Sequence, residues 1–363
     1  MEKNKTRVNG YQRATNSRDS LDDMYTACPF TKEFADIKLL RAGKQTDVTD
    51  QLAGDGFIEY QIDKVHFKSS KPITIEAKRL YFFTMTMYAT KGNGSDCVTF
   101  TLDEWAAARR VENKRREKNN LLKVVNELKH VQIQISGKGE KGYCVIYQEF
   151  TYKANTFTFV LSKRTHDIFK KYKKVYFYKI PQSIFSINLR LYPYAFALCV
   201  YVCNQKRINA GKGHGNADGC HEDIFMFSTL LKLCEDCGMP SAAHLQNGLQ
   251  SNDRHVKRRI IDVFINNMNE LYSLNVFDWC ICDKYCNIII KRKKMRETLQ
   301  CYSFSEIIEM RVMIIWINEP DYTDLKRIKR ADSEYKQFRR VKERQKRIRA
   351  QAKSEYEHTQ KTA

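Results

Sequence analysis

Four residues of the chain have the types and spacing of a zinc site. Cys234 and Cys237 form a Cys-x-x-Cys pair, and Cys220 with His221 precedes it, so the four could bind one metal ion. Leucines at helical spacing surround Cys234, and the stretch between His221 and Cys234 has no pattern typical of a metal site. We therefore favour a buried core thiol at Cys234 and predict no metal ligand.

A second set of residues could carry out DNA strand transfer. His255 and Arg258 have the His-x-x-Arg spacing of tyrosine recombinases, and Tyr285 follows as a candidate nucleophile. Such pairs arise by chance in basic chains, and no matching arginine motif lies upstream. None of the eight histidines forms the His-x-His pair of rolling-circle nucleases, and the loop around Lys212 lacks the spacing of a Walker A motif. We predict no catalytic residue, no cofactor and no enzyme.

The overall charge indicates a polyanionic partner. The 363 residues include 63 Lys and Arg against 42 Asp and Glu, a net charge of +21, so nucleic acid is the leading partner. Hydrophobic residues make up 42% of the chain, enough for folded domains, and the length favours two. The longest apolar run, residues 194–203, is too short to cross a bilayer, and no signal peptide is evident. We expect a cytoplasmic protein without a membrane partner.

Two predicted helices begin with basic side chains and continue with apolar ones. Residues 113–120 are polar and rich in Lys and Arg, whereas residues 121–128 carry apolar side chains at helical spacing. Residues 253–259 and 260–271 repeat this division. A helix with exposed first turns and a buried far end can enter the major groove of a duplex. Either run alone could be a solvated helix face, but the recurrence favours DNA.

We assign DNA contacts to these exposed first turns. Arginine and asparagine side chains can bind guanine or adenine edges with two hydrogen bonds, and lysines can neutralise phosphates. Which arginine reads a base stays open. In the glycine-rich loop, Lys212 either contacts a phosphate or belongs to a flexible connection. The candidate DNA-binding residues are Lys114, Arg115, Arg116, Lys118, Asn119, Arg254, His255, Lys257, Arg258, Arg259 and Lys212.

The elements that position the first basic helix have the order of a winged helix. A helix is predicted over residues 76–89, and Thr101 with Glu104 has the spacing of a capping box for the next helix. The basic helix over 113–128 is the third. Strands over 143–150 and 156–162 then form a hairpin.

The same order returns in the second half of the chain. Helices are predicted over 194–208, over 227–237 and from about 251, and strands over 277–282 and 311–317. The predicted fold class is α+β, with two tandem winged-helix domains and a basic helical C-terminal tail. We place a disordered arm at 1–35, the first domain at 36–172, the second at 173–322 and the tail at 323–363. Residues 326–353 of that tail hold 13 basic and 3 acidic side chains.

Several segments of the second half resemble one protein family. The segments YKIPQSIF at 178–185, AFAL at 195–198 and KRINAGK at 206–212 look like the start of the second winged helix in plasmid replication initiators. The form they resemble has tandem winged helices and is carried by mobile elements of Gram-positive bacteria. The segment RHVKRRII at 254–261, and Trp316 with residues 319–322, continue the match, which extends over about residues 35–346.

This resemblance implies a function. Each winged helix would bind one half of a repeated origin site on double-stranded DNA, the first domain would also support a homodimer, and the protein would recruit host replication proteins. The DNA contacts would fall on residues 114–119 and 254–259. The alternatives are a transcriptional repressor of the same fold and a recombinase acting through Tyr285. Direct repeats beside an A·T-rich stretch would indicate the initiator, a palindrome the repressor, and inverted core sites the recombinase.

Overall fold

The computed structural model describes residues 25–29, 58–62, 65–69, 73–91, 95–137, 140–171, 177–209, 223–241, 253–283 and 287–322. Its strands are β1 (Tyr25–Pro29), β2 (Ile58–Ile62), β3 (Val65–Ser69), β4 (Cys97–Thr101), β5 (Gln132–Gly137), β6 (Glu140–Val145), β7 (Tyr147–Lys153), β8 (Thr156–Leu161), β9 (Phe177–Pro181), β10 (Ile224–Met226), β11 (Phe277–Cys282), β12 (Ile288–Lys291) and β13 (Arg311–Trp316).

The α-helices of these segments are α1 (Ile75–Lys91), α2 (Leu102–Arg109), α3 (Lys114–Leu128), α4 (Lys163–Lys171), α5 (Ala195–Asn209), α6 (Phe227–Asp236), α7 (Asp253–Ser273), α8 (Met295–Leu299) and α9 (Phe304–Glu309). Short 3-10 turns lie at Gln182–Ser186 and Arg292–Lys294. The predicted helices at 76–89, 113–128, 194–208 and 227–237, and the one from about 251, are confirmed within two residues at each predicted end.

Residues 75–161 form a winged helix. Helices α1, α2 and α3 pack with an antiparallel sheet of strand order β4–β8–β7, in which β4 follows α1 and the hairpin β7–β8 follows α3. The predicted capping box at the start of α2 is confirmed, because the Glu104 N–H donates to Thr101 Oγ1 at 3.1 Å and the Thr101 N–H donates to Glu104 Oε2 at 2.8 Å. A left-handed residue, Arg110 (φ 51°), ends α2 and turns the chain into α3.

The predicted hairpin is confirmed with a correction to its first strand. The sequence analysis places one strand over 143–150, but residues 140–145 belong to a separate sheet of order β2–β3–β5–β6, and β7 starts at Tyr147. Ile146 and Tyr147 are both buried, so two successive side chains face the core and the alternation of a single strand breaks there. At the tip, Ala154 (φ 47°) and Asn155 (φ 66°) form a two-residue turn of the kind that joins tightly paired strands.

Residues 195–316 form a second winged helix with the same topology. Strand β10 follows α5, and the sheet has the order β10–β13–β11–β12. The predicted pairing of the strands at 277–282 and 311–317 is confirmed, with Phe277 opposite Trp316 and Cys282 opposite Arg311. Between these strands the chain inserts β12, a 3-10 turn, α8 and α9. The molecule is therefore an α+β protein with two tandem winged helices.

The N-terminal arm needs one correction. Residues 25–29, assigned to a disordered arm, form strand β1 and pair antiparallel with β9, Tyr25 lying opposite Pro181. The pairing follows from a neighbour distant in sequence, which the local polarity of the arm does not reveal. Tyr322 meets the same region, since the Lys179 N–H donates to its hydroxyl at 2.7 Å. The domain boundaries stay predictions, and the tail at 323–363 lies outside the described residues.

The two winged helices share one hydrophobic core. Helix α1 is buried on most of its circumference, and its Phe83 ring makes edge contacts with Trp105 of the first domain and Phe185 ahead of the second. Phe82 of α1 contacts Phe196 of α5 with ring centroids 5.7 Å apart. Burial of such rings is worth about 1.5–3 kcal/mol each, so the domains are held together by a substantial apolar contact.

Candidate nucleic-acid interface

Helix α3 exposes the side chains that were predicted to contact base edges. It begins at the N-cap Asn113, whose Oδ1 accepts the Arg116 N–H at 3.0 Å. Arg115, Arg116 and Asn119 are exposed on the first two turns. Among the described residues neither guanidinium has a hydrogen-bonding or ionic partner. Both are therefore available to an external acceptor such as a guanine edge or a phosphate.

The far end of α3 is buried, as predicted. Leu121, Val125 and Leu128 belong to the core. One charged residue inside the basic run is buried as well. Glu117 accepts a hydrogen bond from Trp105 Nε1 at 2.8 Å and forms an ion pair with Arg109 at 3.2 Å. Sequence reasoning missed this residue, because it read Glu117 as part of a solvated polar face. Glu117 fixes the rotation of α3 and so helps to hold Arg116 outward.

Two lysines of the same run have partners within the protein. Lys114 forms an ion pair with Asp103 at 2.6 Å, with both side chains more than half exposed. The Lys118 ammonium lies 4.6 Å from the centre of the Tyr152 ring on β7. A cation over an aromatic face is worth about 0.5–1 kcal/mol at an exposed site. Lys118 therefore links the recognition helix to its wing, and its assignment to a phosphate stays a prediction.

Helix α7 exposes a shorter basic surface. Arg258 and Arg259 are exposed, and among the described residues neither has a partner. Lys257 donates to the Gln300 carbonyl at 3.3 Å. Arg254 and His255 lie in the first turn of α7, but their side chains are outside the described part, as is Lys212 as a whole. Two of the second domain's predicted DNA-contacting residues therefore lie exposed on the protein surface.

The buried side of α7 is held by an amide. Asn267 is fully buried, and its Oδ1 accepts the backbone N–H groups of Tyr194 and Ala195 at 2.8 and 2.9 Å. Its Nδ2 donates to the Val263 carbonyl at 2.7 Å. Asn267 thus satisfies donors at the start of α5, which have no partner within that helix, and joins the two helices of the second domain.

The insertion of the second wing packs against α7. Arg296 on α8 forms an ion pair with Asp262 at 3.2 Å and donates to Asn266 Oδ1 at 2.8 Å. Both acceptors follow Arg258 and Arg259 along α7. The insertion therefore occupies polar positions that would otherwise continue the exposed surface of the recognition helix.

The same insertion carries a basic cluster that sequence reasoning missed, which we define as Lys291, Lys293 and Lys294. All three are exposed. Arg292 between them is fixed, because its Nε donates to Asp278 Oδ1 at 2.7 Å and its guanidinium lies 3.4 Å from the centre of the Tyr272 ring. The run of four cations was visible in the sequence, but its place near the C-terminal end of α7, where Arg292 meets Tyr272, depends on the sheet pairing.

The structure describes only some of the residues named in the zinc and strand-transfer alternatives. Cys234 is buried in α6 as a core thiol, as predicted, and burial raises the pKa of this thiol well above the usual value. Cys220, His221 and Tyr285 lie outside the described residues. Within the described ranges, no group of three or more His, Cys, Asp or Glu side chains could hold a metal ion.

None of the described helices is long and apolar enough to span a bilayer.

Comparisons with known proteins gave structural similarity only. No family model and no curated protein matches the sequence. The fold is similar to that of the Pi initiator protein solved in complex with iteron DNA, covering 69% of this chain and 92% of that one with 11% identity and a TM-score of 0.40. It is also similar to domains 2 and 3 of RctB, covering 72% of this chain and 90% of that one with 10% identity and a TM-score of 0.41. We assign the two winged helices from the strand order and helix packing described above.

Proposed function

We propose that this chain is a sequence-specific DNA-binding protein that initiates replication of a plasmid or integrated mobile element. It binds repeated sites on the DNA of the origin, recruits host replication proteins and forms a homodimer. One observation carries the proposal: two winged helices share a core, and each presents exposed arginines on a helix whose opposite face is buried. The segments that resemble plasmid initiators fall on the second of these winged helices and on the residues that flank it, 178–185 and 319–322.

Two joined recognition helices suit a site with two parts. A recognition helix covers a few base pairs of one major groove, and a second helix reaches the same face of the duplex about 10 base pairs away. Arg115, Arg116 and Asn119 would read one part, and Arg258 with Arg259 the other. No catalytic residue or cofactor has a role in this function. The protein would act by binding, and the host enzymes would supply the chemistry.

The first experiment tests sequence-specific reading. Arg258→Ala and Arg116→Ala should each weaken binding to the cognate site by about 1–3 kcal/mol and relax the preference at one or two base pairs. Binding to random DNA should change little. Fluorescence anisotropy on cognate and scrambled duplexes, together with selection of preferred sites from a random library, measures both effects.

Matched controls use basic residues away from the exposed first turns. Lys123→Ala on α3 and Lys232→Ala on α6, both exposed, should leave the site preference unchanged. Equal losses on cognate and random DNA would assign the tested arginine to a phosphate. If neither arginine variant affects any DNA, the proposal is wrong.

A second experiment separates the initiator from a repressor of the same fold. The DNA flanking the gene, joined to a selectable marker without another origin, should replicate as a circle only when this protein is supplied. A repressor would instead reduce transcription from its own promoter and support no replication. Tyr285→Phe should leave replication intact, since its hydroxyl has no role in the proposal, and a covalent protein–DNA adduct that this variant abolishes would favour the recombinase.

A further inference from the structure

Four charged side chains of alternating sign connect the first recognition helix to the second domain. Glu117 on α3 contacts Arg109 on α2 at 3.2 Å, and Arg109 contacts Glu76 on α1 at 3.0 Å. Glu76 in turn contacts Arg79, whose Nε lies 3.0 Å from the same Oε2 atom. We call these four residues the charge row. Its two carboxylates and two guanidiniums balance, which is the arrangement that buried charges require.

One end of the charge row holds the chain that leads into the second domain. Arg79 is fully buried, and its Nη1 donates to the carbonyl oxygens of Phe185 and Ile187 at 3.1 and 2.7 Å. These carbonyls belong to the turn that precedes α5. Burial lowers the pKa of Arg79, and the neighbouring Glu76 opposes that shift. The guanidinium thus ties the entry of the second domain to α1 with two directional hydrogen bonds.

The other end sets the rotation of the first recognition helix. Glu117 lies between Arg116 and Lys118 on α3, and its carboxylate is held by both Trp105 and Arg109. Successive residues of a helix are separated by about 100° of rotation. A small rotation of α3 about its axis would therefore carry Arg116 away from its present direction.

Glu76 occupies the middle of the charge row, and both guanidiniums converge on its Oε2 atom. Its side chain is about a third exposed, in contrast to the buried Arg79 and Glu117. Loss of its charge would leave two cations facing each other without the carboxylate between them. The effect would reach the second-domain turn through Arg79 and the recognition helix through Arg109.

We propose that Glu76 is a positioning residue that couples the seating of the second winged helix to the orientation of the first recognition helix. The pair of helices then reads DNA as one rigid unit with a fixed spacing between the two parts of the site. The DNA consequence rests on the proposed function, whereas the coupling itself concerns the protein alone and can be measured without DNA.

The DNA experiment compares Glu76→Gln with wild type on four duplexes: the complete site, each of its two halves alone, and the complete site with about five base pairs inserted, half a helical turn. If α3 and α7 are held as one rigid unit, wild type should bind the complete site at least about a hundredfold tighter than either half. The variant should lose about tenfold on the complete site, stay within about twofold on each half, and discriminate less against the inserted spacer.

Glu127→Gln is the matched control. Its carboxylate links α3 to the residue just before α1, accepting from Thr74 Oγ1 at 2.6 Å, but it makes no contact with the charge row among the described residues. It should keep the wild-type spacing preference. Arg109→Lys is the second test variant, because Nη1 of Arg109 meets both Glu76 and Glu117, and a lysine keeps the charge but ends one bond short of that atom. It should reproduce the effect of Glu76→Gln.

Hydrogen exchange of the free protein reads the coupling directly. In Glu76→Gln the backbone amides of α3 and those of residues 184–187 should exchange faster together, while Glu127→Gln leaves residues 184–187 unchanged. Faster exchange in only one of the two segments, or equal losses on the complete site and on both halves, would overturn the coupling. If wild type binds no DNA, the proposed function fails, and the exchange result still decides the coupling.

Discussion

The two recognition helices have the same place in the topology but are held by different chemistry. Helix α3 is fixed by a buried carboxylate, Glu117, which contacts an indole and a guanidinium. Helix α7 is fixed by a buried amide, Asn267, which accepts two backbone N–H groups. The winged-helix topology thus decides where the helix lies, and the residue on its buried face decides how firmly and with what charge it is held.

The wings differ as well, and they change what each helix leaves exposed. The first wing is a two-residue turn whose strand contributes Tyr152 to the edge of α3. The second wing contains β12, α8 and α9, and Arg296 on α8 binds Asp262 and Asn266 on α7. In the first domain the basic surface lies on the first two turns of α3, whereas in the second it is divided between the first turns of α7 and the basic cluster near the other end of that helix.

The largest expected effect on the free energy of unfolding comes from removing the buried carboxylate that holds α3. Glu117→Ala leaves the Trp105 N–H without its acceptor and removes one carboxylate from Arg109. A fully broken buried pair costs about 3–5 kcal/mol, but Arg109 keeps Glu76, so we expect a loss of about 2–4 kcal/mol in the free energy of unfolding. Urea denaturation followed by circular dichroism measures it.

The counterpart in the second domain is Asn267→Ala. It removes a neutral acceptor from two backbone donors, but the Ala195 N–H keeps the Tyr192 carbonyl at 3.4 Å, so we expect a smaller loss of about 1–2 kcal/mol. Glu127→Ala, a half-buried carboxylate on the same helix as Glu117, should cost less than about 1 kcal/mol. Equal losses for Glu117→Ala and Asn267→Ala would show that charge is not what distinguishes the two helices.

Much of the fold could be predicted because its signals are local. Apolar spacing marked the helices, and the Thr101 and Glu104 pair marked the start of α2 through contacts three residues apart. The division of each basic helix into exposed and buried turns also followed from spacing, so the exposed positions of Arg116 and Arg258 were predicted. Alternating side chains located strands of both hairpins.

The remaining features depend on partners far apart in sequence. Glu117 looks like any acid in a polar run, and only the packing of α2 against α3 buries it. Strand β1 forms because β9 offers it an edge, which no pattern within residues 25–29 encodes. The second hairpin was predicted from its strands alone, and the sequence analysis assigned no structure to the insertion between them. Its contact with α7 through Arg296 therefore went unpredicted.

An intermediate effect is expected from the basic cluster of the second wing. Replacing Lys291, Lys293 and Lys294 with glutamine should weaken binding to all DNA sequences alike. Each lost phosphate contact lowers the slope of log K against log salt by about 0.9, so the triple variant should flatten it by about 1–3 units. Salt titrations on cognate and random duplexes measure the slope.

Two exposed lysines elsewhere in the protein serve as controls for the basic cluster. Lys129→Gln and Lys232→Gln alter exposed lysines outside the predicted interface and should leave the slope unchanged. A change in the preferred site, with an unchanged slope, would show that the cluster reads bases. An unchanged slope and site would remove the insertion from the interface and leave the second domain with the first turns of α7 alone.

The smallest effect concerns how the second helix of each domain begins. Helix α2 starts with the capping box of Thr101 and Glu104, whereas α6 starts after Met226, which makes no side-chain cap. Burial alone would raise the pKa of Glu104, but hydrogen bonds from Lys91 and Thr101 outweigh it and hold that pKa below its ordinary value of 4.5. The first domain thus has an acid-sensitive helix start that the second domain lacks at the equivalent position.

Glu104→Gln tests that difference, because glutamine can still accept the Thr101 N–H but carries no charge. A carboxylate with a lowered pKa in the folded state stabilises the protein above the pKa of the unfolded chain, and this contribution disappears as the pH falls through the folded-state pKa. The variant should therefore be less stable than wild type by under about 1 kcal/mol at pH 7, since the pair with Lys91 is more than a third exposed. The gap in stability should narrow and close as the pH falls below 4.5 and through the folded-state pKa of Glu104. Urea denaturation across this range measures the gap, with Glu112→Gln, an exposed residue outside the capping box, as the control. A gap that persists at low pH would mean that the glutamine disturbs the packing of α2 instead of removing a charge.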